Sequence, residues 1–172
     1  MAAKLLIIAA DSAFRMNLSR RLKSEGYKVF EAGERGQTER TLQRKKIDVV
    51  LLGLNGASGE ELLLLDGIKT MRPSAEIITL NSSGQLSVSM ESMKQGAFDD
   101  LLVPLDLDLL LQRIGEAQAQ KKEKEKRRKK PLRRYQEMMV AASFAEAGEP
   151  AMAREFLVKS KKAADTGTNE DQ

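Results

Sequence analysis

The sequence predicts an α/β fold for its first 120 residues and helices alone thereafter. Three observations carry that expectation. Short apolar runs recur between segments whose apolar residues are spaced by three or four, the pattern of buried strands joined by crossover helices. No run approaches the eighteen apolar residues of a membrane span. From residue 121 the composition turns to Lys and Arg, and no strand-like run returns.

Each element follows in order. Leu5-Leu6-Ile7-Ile8 suits a strand buried on both faces. Asp11 or Ser12 can cap a helix whose Phe14, Leu18 and Leu22 share one face, and Gly26 stops it. Tyr27 to Phe30 reads as a second strand and Gly36 to Lys45 as a polar helix. Asp48 to Leu52 is the clearest buried strand, Gly53 to Gly59 a loop, and Glu60 to Met71 a helix that ends before Pro73. Glu76 to Leu80 is a fourth strand, Gln85 to Gln95 a helix, Phe98 to Val103 a fifth strand, and Leu107 to Ala119 an amphipathic helix. This (βα)5 alternation implies a doubly wound parallel sheet, for which the flavodoxin-like order 2-1-3-4-5 is expected. Function in such sheets sits at the carboxyl ends of the strands. Here those ends are Ala9-Ala10-Asp11, Gly53 and Asn81-Ser82.

Composition narrows the chemistry. The 172 residues contain neither Cys nor His. That excludes disulfides, thiolate metal sites, Cys nucleophiles and imidazole bases. The apolar stretch after Lys4 ends in Asp11 without a cleavage region, so no signal peptide is expected. Together these features suggest the cytoplasm. The net charge of +4 hides an imbalance: residues 121–134 hold ten basic residues against two glutamates, leaving nineteen basic and twenty-three acidic residues elsewhere.

Several segments, LLIIAADSAFRMNLSRRLKSEGYKV, IDVVLLGLNGASGEELL, EIITLNSSG and MKQGAFDDLLVPLD, make residues 4–119 resemble the receiver domain of two-component response regulators. The resemblance implies phosphoryl transfer to an aspartate after the third strand. It implies an acidic pair after the first strand that holds Mg²⁺. It further implies a Ser/Thr hydroxyl after strand four, a Lys after strand five, and an aromatic switch residue three positions before that Lys. This chain departs at each. The acidic pair falls on Ala9 and Ala10, the acceptor on Gly53, the hydroxyl on Asn81, the lysine on Val103 and the aromatic on Asp100. A pseudo-receiver that is not phosphorylated, not an enzyme and without a cofactor is therefore expected.

The remaining polar groups have plainer roles. Asp11 reads as a helix N-cap rather than a remnant metal ligand. Asp99 and Asp100 read as solvated residues at a strand start, and Asn81-Ser82-Ser83-Gly84 as a polar loop rather than an anion cradle. A third reading, an active receiver with a displaced acceptor at Asp11, Asp48 or a serine, lacks an activating base.

Four parts are expected: a receiver-like domain (1–120), a basic and helical linker (121–134), an αα-hairpin (132–162) that Pro131 interrupts from the preceding helix, and a disordered tail (163–172). The hairpin weakly resembles one tetratricopeptide unit, with Val140, Ala141 and Phe144 before Gly148 and Ala153 and Leu157 after it. Such a unit cannot bury its apolar face alone. Leu132, Met138, Met139, Met152, Phe156 and Leu157 therefore form a candidate interface, either for a protein partner or for a homodimer. The basic patch Lys126, Arg127, Arg128, Lys129, Lys130, Arg133 and Arg134 supports a second expectation, a nucleic-acid-associated regulator. No aromatics are interleaved with it, and no base-reading module follows it.

Overall fold

The computed structural model describes residues 2–55 and 59–166, with 130–134 and 160–166 as backbone only. The chain forms two compact units, divided between Lys124 and Glu125.

The first unit alternates strands and helices: β1 Lys4–Ile8, α1 Ser12–Ser24, β2 Lys28–Ala32, α2 Arg35–Arg44, β3 Val49–Leu54, α3 Gly59–Met71, β4 Glu76–Asn81, α4 Leu86–Lys94 and β5 Asp99–Leu102. The helix α5, Leu107–Glu146, begins in this unit, and α6 is Pro150–Thr166. The sheet is parallel, in the order β2-β1-β3-β4-β5. Alternation along β1 feeds two cores. Leu5 and Ile7 pack with Leu18, Leu22, Leu110 and Ile114 on one side. Leu6 and Ile8 pack with Leu42, Leu65, Ile68 and Val88 on the other. Both faces are thus dry, which explains why the strands read as unbroken apolar runs.

Three boundaries differ from the sequence reading. Gly53 and Leu54 belong to β3, not to the following loop, because they pair with Leu80 and Asn81 of β4; residues 56–58 of that loop lie outside the described residues. α5 runs unbroken through 131, so no separate helix starts near 132. Lys, Arg and Glu on both sides of the proline are good helix formers and carry the helix across it. α6 continues to Thr166, past the expected tail boundary at 163, and residues 167–172 lie outside the described residues.

The basic segment also begins inside the first unit. Lys121 is buried, donates to Ile47 O (3.2 Å), and pairs with the Asp48 carboxylate. Lys124 Nζ lies 2.6 Å from Glu76 Oε1, and Lys69 Nζ lies 3.4 Å from Glu76 Oε2. The Glu76 side chain is only 2% exposed, so these two ammonium groups compensate a buried charge. Burial lowers the Lys69 amine's pKa, and Lys124's charge adds to that, against the opposing pull of Glu76.

Burial pushes the Asp48 carboxyl up, but hydrogen bonds from Lys121 and the Lys4 amide, with the charges of Lys121 and Lys46, outweigh it and hold it below its ordinary value. A carboxyl lowered on folding stabilises the fold above its unfolded pKa and loses that contribution as pH falls through the folded value. Between neutrality and pH of about 3, the wild type should therefore lose more stability than Asp48→Asn does. Urea midpoints of both proteins at the two pH values check this.

Candidate functional site

The carboxyl ends of β1 and β3 border a cleft of about 550 Å³, lined by Ala9, Ala10, Gly53, Glu34, Glu60 and Glu61 among others. Gly53 lies close against β1. A Cβ built on it would stand 3.2 Å from Ala9 Cβ and 3.3 Å from Ile8 O. Ala9, Ala10 and Gly53 are thus brought together, and none offers a polar side chain.

The other expected site residues do not join them. Asp11 Oδ1 accepts from the Phe14 amide at 3.0 Å, so this carboxylate caps α1. Asn81 is buried, and its side chain is engaged: Nδ2 donates to Ser89 Oγ (3.0 Å), while Oδ1 accepts from the Ser83 amide (3.0 Å) and hydroxyl (2.7 Å). Ser82 Oγ donates to Leu54 O at 3.0 Å. Val103 packs against the core shared by α1 and α5. Asp48 lies at the opposite edge of the sheet, beside Lys4 at the start of β1.

Asp100 is not the solvated residue expected. It is half-buried. Its two carboxylate oxygens accept from the Thr79 and Ser89 hydroxyls. With Asn81 donating to Ser89, a directed chain runs from β4 through α4 to β5. Thr79 is fully buried, so its hydroxyl needs such a partner. Asp99 lies 2.9 Å from Arg113 Nε in an ion pair, and is likewise not simply solvated.

Two groups at the cleft were not legible in the sequence. Arg15 donates to Ala9 O and approaches Ala10 O at 3.5 Å, laying its guanidinium over Gly33. Its place one turn into α1 was the available signal. Glu61 accepts from the Asn55 amide with both oxygens, at 3.1 and 3.0 Å. Burial raises its pKa; the Asn55 amide opposes that and Glu60's charge adds to it. Among the described residues no cluster of three or more acidic side chains could hold a metal ion.

In the second unit, Lys126, Arg127, Arg128 and Lys129 are exposed on α5. The side chains of Lys130, Leu132, Arg133 and Arg134 lie outside the described residues. Met138, Met139 and Met152 are exposed, and Leu157 is partly so. Phe156 is half-buried with its ring 6.2 Å from that of Phe144, and Ala141 and Ala153 are buried. No described helix is long and apolar enough to cross a membrane.

Comparison with known proteins agrees with the fold. The chain is 32% identical over 118 residues to the transcriptional regulatory protein GlrR of Escherichia coli, covering 69% of this chain and 27% of that one. It is 30% identical to the acid tolerance regulatory protein ActR of Rhizobium meliloti, covering 65% and 60%. The chain therefore spans only about a quarter of the length of GlrR. A receiver domain structure from Clostridium thermocellum superposes with a TM-score of 0.63 at 30% identity, covering 70% and 97%. A receiver domain protein from Methanospirillum hungatei gives 0.66 at 22% identity, covering 72% and 99%, and shows the fold alone. The family pattern described as the response regulator receiver domain matches residues 5–115. That match spans more than half of the chain, and the protein belongs to the response regulator receiver family.

Proposed function

We propose that this protein is a receiver-family signalling or adaptor module that works without phosphorylation, through contact with another protein or with itself. One observation carries the proposal. The position that corresponds to the acceptor is Gly53, whose missing side chain would meet Ala9 and Ile8. The supporting groups are missing too: Ala9 and Ala10 give Mg²⁺ no carboxylate, and Val103 gives no fixed positive charge. Asp11, Asp48, Ser82 and Ser83 are each committed to structural hydrogen bonds, which argues against a displaced acceptor. The proposal includes no enzymatic activity and a cytoplasmic location. It also includes a tetratricopeptide-like packing of the hairpin, for which the buried Ala141 and Ala153 and the Phe144–Phe156 contact are the support. Intact-mass measurement after incubation with a small phosphodonor and Mg²⁺ tests it. An unchanged mass is expected; an adduct of one phosphoryl group overturns it.

A second reading is favoured by the exposure of Lys126, Arg127, Arg128 and Lys129 on one helix: association with nucleic acid through phosphate contacts. Several relatives are transcriptional regulators by name, and NtrC of Bradyrhizobium is described as DNA-binding. On this reading duplex binding weakens by about 10³-fold or more between 50 and 200 mM salt, and a fourfold charge reversal at 126–129 abolishes it. Titration of labelled duplex across salt concentrations decides.

A further inference from the structure

The helical hairpin leaves an apolar face open. Its closed side is small: Ala141 and Ala153 are buried, with one ring contact between Phe144 and Phe156. Beside that seam, Tyr135, Met138, Met139 and Ala142 of α5 lie at three- and four-residue spacing and are all exposed, Met138 by 66%. Helical spacing, with the second helix antiparallel, puts Leu157 and Val158 of α6 on the same side. Both are exposed as well, Val158 by 64%. Two helices with this much uncovered apolar surface are short of a stable bundle.

The charges around this face say what covers it. Arg128 and Glu146 are eighteen residues apart, five full helical turns, so both lie on the line of the apolar stripe, about 27 Å from each other. Both are exposed. Their midpoint is residue 137, inside the Tyr135–Met139 cluster. A two-fold axis through that midpoint lays Tyr135 against Met139 of a second copy and Glu146 against Arg128. The face is therefore complementary to itself when antiparallel. A parallel pairing would set Arg128 on Arg128 and Glu146 on Glu146. Isologous contact of this kind is the commonest closed assembly, and two such hairpins complete a four-helix bundle.

We propose that α5 and α6 form an antiparallel homodimer interface centred on Met138, with Glu146 of each copy paired to Arg128 of the other. The apolar cluster supplies the affinity and the charge pair sets the register, since an exposed pair adds little affinity by itself. The inference rests on the reading of the protein as a module that works by protein contact, and names its partner as a second copy.

The chain's lack of cysteine makes the test direct, because one introduced thiol is the only one present. Light scattering on the full chain is expected to give twice 19.1 kDa, and Met138→Glu to give the monomer. Under mild oxidation, M138C should cross-link to its own copy. R128C and E146C should cross-link when mixed with each other, but neither with itself. E146R and R128E should each weaken the dimer at least tenfold, and the double reversal should restore it. Recovery in the double variant separates a lost contact from a lost fold. Self-cross-linking of R128C and E146C, a dimer indifferent to M138E, or a monomer throughout would overturn the proposal. None of these touches the phosphorylation-independent reading, which fails instead on a phosphoryl adduct in the intact-mass experiment.

Discussion

A chain ending at Gln120 should be less stable than one ending at Lys126 by about 2–4 kcal/mol, although both contain every strand and the whole amphipathic part of α5 up to Ala119. The six residues carry Lys121 and Lys124, the partners of Asp48 and Glu76. Removing one member of a buried pair costs about 3–5 kcal/mol, because the other charge stays buried without compensation. Glu76 is that case. Lys69 remains beside it at 3.4 Å, and Lys124 is itself 43% exposed, so the lower part of the range applies. Asp48 keeps the Lys4 amide at 2.8 Å. Urea denaturation of the two fragments measures the difference. Glu76→Gln in the short fragment should recover part of it, since a neutral side chain no longer needs an ammonium partner. Equal stabilities of the two fragments would show that water replaces both lysines without loss.

Asp100→Ala should cost a similar amount, about 2–4 kcal/mol. The carboxylate accepts from Thr79 and Ser89, and hydrogen bonds to a charged group contribute about 1.5–3 kcal/mol each. Thr79 is fully buried and Ser89 half-buried, so the loss leaves at least one hydroxyl without a partner. Ser89→Ala alone should cost less, because Thr79 keeps its acceptor. The double variant should cost clearly less than the two singles added, with a coupling above about 0.5 kcal/mol for groups in one network. Amide exchange should report the same event locally. Exchange along α4, residues 86–94, should speed up in Asp100→Ala while α1 is unchanged. Additive costs would mean that the chain from Asn81 through Ser89 to Asp100 does not act as a unit. The network occupies the two places, Asn81 and Asp100, where the family resemblance puts a hydroxyl and an aromatic switch. A tether of this kind holds α4 against β4 and β5 with no phosphoryl group involved.

Much of the architecture was legible from residues alone. Apolar runs such as Leu5–Ile8 and Val49–Leu52 can only be strands buried on both sides, and their alternation with helical spacing dictates a parallel sheet. The identity of each site position was legible for the same reason: the strand ends locate it, and Ala9, Ala10 and Gly53 show by composition what is missing. The sequence also located the basic segment and the Met-bearing helices, because charge and hydropathy are local properties.

What only the tertiary structure decided are the pairings between residues far apart in the chain. Lys121 read as linker charge until Asp48, seventy-three residues earlier, was found beside it. Asp100 read as solvated until Thr79 and Ser89 converged on its carboxylate. Arg15 had no evident role until β1 presented the Ala9 and Ala10 carbonyls to it. Gly53 read as loop because glycine disfavours strands, and the pairing of β3 with β4 overrode that preference. Local pattern records which face of an element is apolar. It does not record which polar group another element will bring opposite, and that juxtaposition determines whether a charge is solvated, capped or buried.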